Sequence, residues 1–418
     1  MEKKASPSLI LLFQNTIKYS WYLVVFLFSL NFQGNTTLNT LVLICLGLLY
    51  AIVRNGKIII RTDFVLLSLF CVIYYSYLVA QGSSNVSTFV NFLVAPIFTF
   101  IIGQSTTSNS SLESYQRDLH NTIMLIAIGF ALHASLNVNE YLRIFGAQSQ
   151  LRIVPDIWSN SMVASTIIGI KYSVLVSLIA FVILQISRKK ALLSSSLISI
   201  LIIYALYSTI ILGNRSTLII GLVNIVVCFL LLVRKRNLLQ SVFKFAFYLS
   251  IIIVMVYALG GMKLVDLSNI VDTSKLNGRI TWIQFINDPR FRIYGEVISQ
   301  SSLFPLGGKQ MSLSLQYPHN VWLNILYVAG IIPFTIFTLF TYKVGLGVFR
   351  VLRKDIFSKE ITILIINVFL TYYLMFLVEP IFEGAPYFYI SYCLLAGSIS
   401  NTRNFNGAKK HEENSLGY

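Results

Sequence analysis

One arginine stands in a very short turn between two long apolar stretches of the chain. The turn reads Leu212-Gly-Asn-Arg-Ser-Thr217, so Arg215 is expected at the level of the lipid head groups. A guanidinium donates hydrogen bonds in a fixed planar fork that matches the oxygen atoms of a phosphate. The position therefore predicts a site for a lipid-borne anion. The alternative is an arginine whose long side chain only marks the membrane interface.

A second arginine opens an amphipathic segment, 277–286. Ile280, Ile283 and Ile286 recur there near helical spacing, which predicts a helix lying in the membrane interface. Arg279, at the start of this segment, would face the same kind of anion. The alternative is that the segment only anchors its loop to the membrane.

A histidine follows a proline at the head of a later apolar stretch, which begins Pro318-His-Asn-Val-Trp-Leu. An imidazole takes up a proton near neutral pH, as the activation of a hydroxyl nucleophile requires. His319 is therefore a candidate general base, although a lone histidine is more often structural. Asn320 either orients this histidine or caps the helix that follows.

Three further charges stand out against apolar or turn-forming surroundings. Lys171 lies within the apolar run 168–172, where a charge costs about 2.5–3.5 kcal/mol, so we expect a partner or a water cavity beside it. Glu379 and Glu383 lie in a turn, 378–386, that contains two prolines and a glycine. These carboxylates could pair with arginines or bind a sugar, and the alternative is a solvated turn.

The elements that must position these residues are membrane helices. The chain has 418 residues, of which 56% are hydrophobic and only 11% are charged, whereas soluble proteins carry roughly 25% charged residues. We expect an all-α polytopic integral membrane protein with about 12 transmembrane helices in a single membrane domain. It would have one large loop over about 261–318 and a tail over 401–418. The approximate spans are 19–33, 38–53, 64–80, 86–102, 121–137, 159–185, 191–212, 216–233, 243–260, 319–341, 361–378 and 386–400.

The distribution of cations predicts the orientation. If the N-terminus is cytoplasmic, most of the 32 Lys and Arg residues fall in cytoplasmic segments, as the positive-inside rule requires. Both termini are then cytoplasmic, and the net charge of +16 indicates topology rather than nucleic-acid binding. The cations expected on the opposite side are Arg143, Arg152, Arg215, Lys263, Lys275, Arg279, Arg290, Arg292 and Lys309.

The four cysteines all lie in apolar stretches, where thiols behave as small hydrophobic groups. The four histidines are scattered along the chain. We therefore predict neither a disulfide framework nor a metal site.

In their order and spacing these segments resemble the O-antigen polymerase and ligase superfamily of bacterial envelope proteins. The resemblance is strongest over 215–332, where it rests on the Asn-Arg-Ser turn, Gly278-Arg-Ile-Thr-Trp282, Phe304-Pro-Leu-Gly-Gly308 and a His-Asn-x2-Leu-x6-Gly pattern from His319. A weaker match is Arg152 with the segment 158–164. The chain departs from the family at the Arg215 turn, where members often have Ser-Arg-Gly.

The resemblance implies a metal-independent, cofactor-free glycosyltransferase of the C-type membrane class, in a bacterial inner (plasma) membrane. Its donor would be an oligosaccharide on undecaprenyl pyrophosphate at the periplasmic face. Arg152, Arg215 and Arg279 would bind the pyrophosphate, and His319 would be the base, with Asn320, Glu379 and Glu383 in support.

Three functions remain open on this resemblance, and a further alternative is a non-catalytic scaffold of an envelope complex. The leading one is an O-antigen polymerase, because the outer loop is short of extra structure and the segment 378–386 looks more polymerase-like. The second is an O-antigen ligase, which moves the glycan to lipid A–core. A transporter such as a lipid-linked oligosaccharide flippase ranks third, because no repeat is visible and Lys171 is the one clear charge within a span. A chain-length regulator and a flippase would be partners of a polymerase.

Overall fold

The computed structural model describes residues 7–54, 56–108, 111–147, 149, 151–159, 161–187, 192–233, 289–301, 313–314, 318–354 and 356–404. The predicted span 243–260, Arg279 and most of the long loop lie outside these described residues.

Helices form almost all of this described part. In chain order they are α1 (Pro7–Ser29), α2 (Thr36–Val53), α3 (Thr62–Ala80), α4 (Val86–Phe89), α5 (Ala95–Ser108), α6 (Leu112–Phe145), α7 (Ser165–Val176), α8 (Ile179–Ser187), α9 (Leu192–Leu212), α10 (Arg215–Val233), α11 (Pro289–Ser301), α12 (Val321–Ala329), α13 (Ile331–Lys354), α14 (Lys359–Val378), α15 (Ile381–Gly384) and α16 (Pro386–Ser400). A π-helical turn (Val90–Val94) joins α4 to α5, and 3-10 turns form at Phe32–Gly34 and Asn401–Asn404. Two short antiparallel strands, β1 (Ile153–Pro155) and β2 (Met162–Ala164), make a hairpin before α7.

Eight helical segments of the described part are long and apolar enough to cross a membrane. They are Thr36–Val53, Thr62–Ala80, Val86–Thr106, Leu112–Phe145, Ser165–Ile186, Leu192–Leu212, Ile331–Arg353 and Lys359–Val378, and Arg215–Leu231 is a shorter apolar helix. An all-α polytopic membrane protein is therefore confirmed for these residues, whereas a total of twelve spans stays a prediction.

The prediction of one continuous span over 319–341 is wrong. Helix α12 ends at Ala329, and Gly330 has φ 83° and ψ −169°, a conformation that favours glycine. The spanning helix is α13, which starts at Ile331 and runs well beyond residue 341. A short helix therefore follows His319, and the membrane span follows that short helix.

The first helix runs over Pro7–Ser29 instead of 19–33, and two further differences from the predicted boundaries affect residues near the candidate site. The span expected over 121–137 belongs to the much longer helix α6, so Arg143 lies in the last turn of this helix instead of in a loop. Its guanidinium there forms an ion pair with Glu140. The span expected from residue 159 begins only at Ser165, because the hairpin occupies the preceding residues.

The described chain divides into two compact units. Unit 1 comprises Met1–Gly129, Ile293–Phe357 and Pro380–Tyr418, and unit 2 comprises Phe130–Arg292 and Ser358–Glu379. The prediction of a single membrane domain stays a prediction.

Unit 1 is held together by close helix packing and by aromatic side chains. A Cβ atom at Gly103 of α5 would lie 2.0 Å from the Leu394 carbonyl oxygen, and one at Gly397 of α16 would lie 2.0 Å from the Phe100 carbonyl oxygen. Glycine at both positions therefore lets the two backbones touch. An aromatic cluster of this unit contains Phe70, Phe337, Phe382 and Tyr389.

Unit 2 packs α8, α9, α10 and α14 with the almost completely buried helix α7. Gly169 of α7 permits the close approach of α10, because an added Cβ would lie 2.9 Å from the Thr217 hydroxyl oxygen. That hydroxyl donates a hydrogen bond to the Gly169 carbonyl at 3.0 Å. The start of α10, where Arg215 lies, is thereby fixed against α7.

Candidate functional site

In unit 2, one residue connects the hairpin that carries Arg152 to the turn that carries Arg215. The Ser165 backbone N–H donates to the Arg152 carbonyl at 2.8 Å, and the Ser165 carbonyl accepts from the Asn214 side-chain amide at 2.8 Å. Arg152 directly precedes β1 and is exposed, whereas Arg215 is the first residue of α10 and is half-buried. Two of the predicted anion-binding arginines are therefore held at the same end of unit 2.

A buried carboxylate lies at the same end of unit 2. The Ser216 hydroxyl donates to Oε1 of Glu379 at 2.7 Å, and Nη2 of Arg290 lies 3.9 Å from the same oxygen. The Glu379 side chain is only 1% exposed. The pairing expected between Glu379 and an arginine is confirmed, and the solvated-turn alternative is wrong for this residue.

The N-terminus of α10 beside Arg215 adds a positive electrostatic potential at this end of unit 2. The first N–H groups of a helix have no intrahelical acceptor, so they favour an anion in front of them. Arg215 is the first residue of α10, and Ser216 uses its hydroxyl to bind the carboxylate of Glu379. Chemically, this end of the unit can attract a phosphate with guanidinium groups and with a helix N-terminus.

His319 lies in unit 1, immediately before the cap of α12. The Asn320 side chain accepts a hydrogen bond from the Leu323 N–H at 3.0 Å, so the capping interpretation of Asn320 is confirmed. The Tyr294 hydroxyl donates to the His319 carbonyl at 2.9 Å, which fixes the backbone at this position. The His319 side chain itself is half-buried.

Glu383 belongs to the same unit. Its carboxylate accepts a hydrogen bond from the side-chain amide of Asn324, which lies one turn into α12. The residue is exposed, and its partner is an amide. The amide of Asn324 thus holds this carboxylate beside the first turn of α12.

Lys171 has a buried partner in unit 2, as expected for a charge within a span. Its ammonium nitrogen contacts Nδ1 of His133, and Nε2 of His133 lies 3.0 Å from Oδ2 of Asp156. Lys171 is 2% exposed, His133 is 0% exposed and Asp156 is 5% exposed. Sequence reasoning missed His133 and Asp156, because neither belongs to a motif and they come from α6 and the hairpin turn.

Asp156 lies outside the membrane-spanning segments. Burial by itself would raise the pKa of its carboxyl group. The interaction with His133 and the backbone N–H groups of Ser159 and Trp158 outweigh burial, and they hold the pKa of Asp156 well below its usual range. Asp156 is thus a carboxylate at neutral pH.

The predicted site residues fall into three groups. Arg152, Arg215 and Glu379 lie at one end of unit 2, whereas His319, Asn320 and Glu383 belong to unit 1. Arg279 lies outside the described residues. Within the part of the chain that the structure describes, no group of three or more His, Cys, Asp or Glu residues could hold a metal ion.

Comparison with known proteins adds no relative to this picture. No protein-family model matches the chain, and no curated protein matches it at a significant level.

Proposed function

We propose that the chain is a glycosyltransferase of a bacterial inner membrane that polymerises the repeat units of an O-antigen or a related surface polysaccharide. The donor is a glycan on undecaprenyl pyrophosphate, used at the periplasmic face without a metal. Both termini are cytoplasmic in this proposal, and a flippase and a chain-length regulator are the partners expected for such an enzyme.

The observation that carries the proposal is the shared anchoring of Arg152 and Arg215 by Ser165. Two guanidinium groups on one end of a helical unit, with the N-terminus of α10 beside them, are suited to a pyrophosphate at the membrane surface. Neutralising the charge of a pyrophosphate makes it a good leaving group, and fixed arginines do this without a metal. Arg290 also lies at this end, where its charge is balanced by Glu379.

The reaction in this proposal is a direct displacement. The acceptor hydroxyl oxygen forms a bond to the anomeric carbon of the donor while the bond from that carbon to the pyrophosphate oxygen breaks. His319 takes the hydroxyl proton, undecaprenyl pyrophosphate leaves, and the configuration at the anomeric carbon inverts. Arg152 and Arg215 stabilise the charge that develops on the leaving group.

The buried lysine does not favour a transporter over a transferase. Charges within spans often mark the path of an ion or a substrate. Lys171, however, lies in a chain of contacts with His133 and Asp156 that balances its charge inside unit 2. A structural partner therefore accounts for this charge.

Turnover of a lipid-linked repeat unit by the purified protein in nanodiscs tests the proposal. Arg215→Ala is expected to lower the rate by about 100-fold or more, because an interaction with developing charge is lost. Arg215→Lys keeps the charge but loses the planar fork, so an intermediate rate is expected. Arg143→Ala is the matched control, since this arginine is also placed on the outer side but pairs with Glu140 on the surface of α6. Equal rates for Arg215→Ala and the parent would overturn the proposal.

A deletion strain separates the polymerase from the ligase. Loss of a polymerase leaves lipopolysaccharide that carries a single repeat. Loss of a ligase leaves bare core, with polymer stranded on its lipid carrier. The banding pattern of the lipopolysaccharide distinguishes these two results directly.

A further inference from the structure

The β1–β2 hairpin follows helix α6 toward the interior of unit 2. The Tyr141 hydroxyl donates to the Leu151 carbonyl at 3.1 Å, at the base of the hairpin. One turn earlier on the helix, the side-chain oxygen of Asn137 accepts from the Ile157 N–H at 3.2 Å. The hairpin therefore runs antiparallel to the end of α6, and its turn points toward His133.

The Asp156 side chain contacts both the hairpin turn and helix α6. Its Oδ1 atom accepts hydrogen bonds from the backbone N–H groups of Trp158 and Ser159 at 3.0 and 3.1 Å, which shape the turn. Its Oδ2 atom lies 3.0 Å from Nε2 of His133. The same carboxylate thus holds both the turn and the helix.

The contacts of His133 determine how charge is distributed in this cluster. The Lys171 ammonium can only donate, so Nδ1 of His133 must accept, and the ring proton then resides on Nε2 and is donated to Asp156. The imidazole is neutral in this arrangement, and the charges of Lys171 and Asp156 cancel. A buried charge is costly unless it is paired. Asp156 can therefore leave the cluster only at the cost of an uncompensated lysine, which keeps the hairpin docked.

The base of the same hairpin carries Arg152. The Arg152 carbonyl accepts from the Ser165 N–H, and Ser165 begins the helix that carries Lys171. The hairpin is thus connected to α7 at both ends, directly at Ser165 and through His133 at Lys171. These two connections fix the backbone from which the exposed Arg152 side chain extends.

We propose that Asp156, His133 and Lys171 are positioning residues that hold the hairpin so that Arg152 can bind the pyrophosphate of the donor. The proposal rests on the function proposed above. It assigns the buried lysine and its two partners a role in donor binding, although none of the three touches the substrate.

A labelling experiment tests the docking of the hairpin without reference to activity. Val154→Cys, in a background with Cys45→Ser, places a thiol on the buried face of β1, where it is shielded while the hairpin is docked. The pair Asp156→Ala with Lys171→Met removes the docking carboxylate while keeping the cluster free of net charge, so that folding is spared. We expect this pair to raise the rate of maleimide labelling at position 154, and Glu140→Gln, at the exposed ion pair on α6, to leave it unchanged. An unchanged rate in the charge-balanced pair overturns the proposal.

A double-mutant cycle tests the link to Arg152. The charge-balanced pair is expected to raise KM for the lipid-linked donor by about tenfold, the size of one lost charge-assisted contact, with a smaller change in kcat. In an Arg152→Ala background the pair is expected to raise KM no further, because the group that it positions is already gone. Full multiplication of the two effects, or an unchanged KM, overturns the positioning role. A parent protein without any turnover instead overturns the proposed function, while the labelling result still decides whether the cluster docks the hairpin.

Discussion

Asn320 caps helix α12, and this structural role can be separated from the chemistry proposed for its neighbour His319. An asparagine cap is worth about 1 kcal/mol, and serine caps nearly as well. The cap bond to the Leu323 N–H uses only the side-chain oxygen of Asn320. The two adjacent polar residues should therefore respond differently to substitution.

The prediction at this position is a split between activity and stability. His319→Ala is expected to abolish turnover of the lipid-linked repeat, because the base is lost, while the amount of inserted protein and its thermal unfolding stay near the parent values. Asn320→Ser is expected to retain turnover, whereas Asn320→Ala is expected to lower the free energy of unfolding by about 1 kcal/mol. In nanodiscs, turnover of the lipid-linked repeat measures the activity of each variant, and thermal unfolding measures its stability. Equal turnover for His319→Ala and the parent would show that His319 is not the base.

The partners of the charged residues could be predicted from the sequence to different degrees. A partner for Lys171 follows from the cost of burying a charge, and the structure supplies His133 and Asp156. The sequence did not identify these partners, because His133 lies on another helix, 38 positions away from Lys171. The pairing of Glu379 with an arginine was one of several alternatives; its contact with Arg290 bears this pairing out, and its burial excludes the solvated turn.

Helix α5 and helix α16 show how the smallest side chain determines an element's packing. At Gly397 an added Cβ would lie 2.0 Å from the Phe100 carbonyl oxygen, which belongs to rigid helix backbone. The helices would have to separate to admit a methyl group. Separation would open the core of unit 1, so the cost should exceed the gain in helix propensity from replacing glycine.

Gly397→Ala is therefore expected to destabilise the protein by about 1–3 kcal/mol or more, as overpacking of a close contact does. The yield of monodisperse protein after detergent extraction and the temperature of unfolding measure the effect. Gly295→Ala is the matched control, because a Cβ at this position of α11 meets nothing within 4 Å. Its expected effect is neutral or slightly stabilising, since alanine favours a helix by up to about 1 kcal/mol over glycine. Equal destabilisation by both variants would contradict the packing argument.

Hydropathy located helical segments better than it located breaks in them. Gly330 separates α12 from α13, yet apolar residues flank it on both sides, so the segment 319–341 looks like one span. The hairpin before Ser165 was hidden for a related reason, because its short strands are partly apolar and contain no turn motif of the commonest kind. Backbone breaks of this kind depend on contacts with other elements, which a hydropathy average does not contain.

At the scale of the whole molecule, composition was the most informative property. A chain with 11% charged residues and 56% hydrophobic residues has too few charges for a typical soluble protein, so a membrane protein is expected. The eight helices of the described part that are long and apolar enough to cross a membrane agree with this expectation. The orientation of these helices is a separate matter, because hydropathy is the same in both directions. It depends on the distribution of lysine and arginine between the loops.

The orientation can be tested with cysteine labelling, and the result also bears on function. In a background with all four native cysteines replaced by serine, Ser84→Cys is expected to react with a membrane-impermeant maleimide on intact spheroplasts. Ser111→Cys should react only after the membrane is opened, because it lies in the next loop along the chain, on the cytoplasmic side. Both positions are exposed, so the comparison is matched. The opposite result would place Arg152 and Arg215 in the cytoplasm, where an undecaprenyl-linked donor in the outer leaflet cannot reach them, and would exclude the proposed reaction.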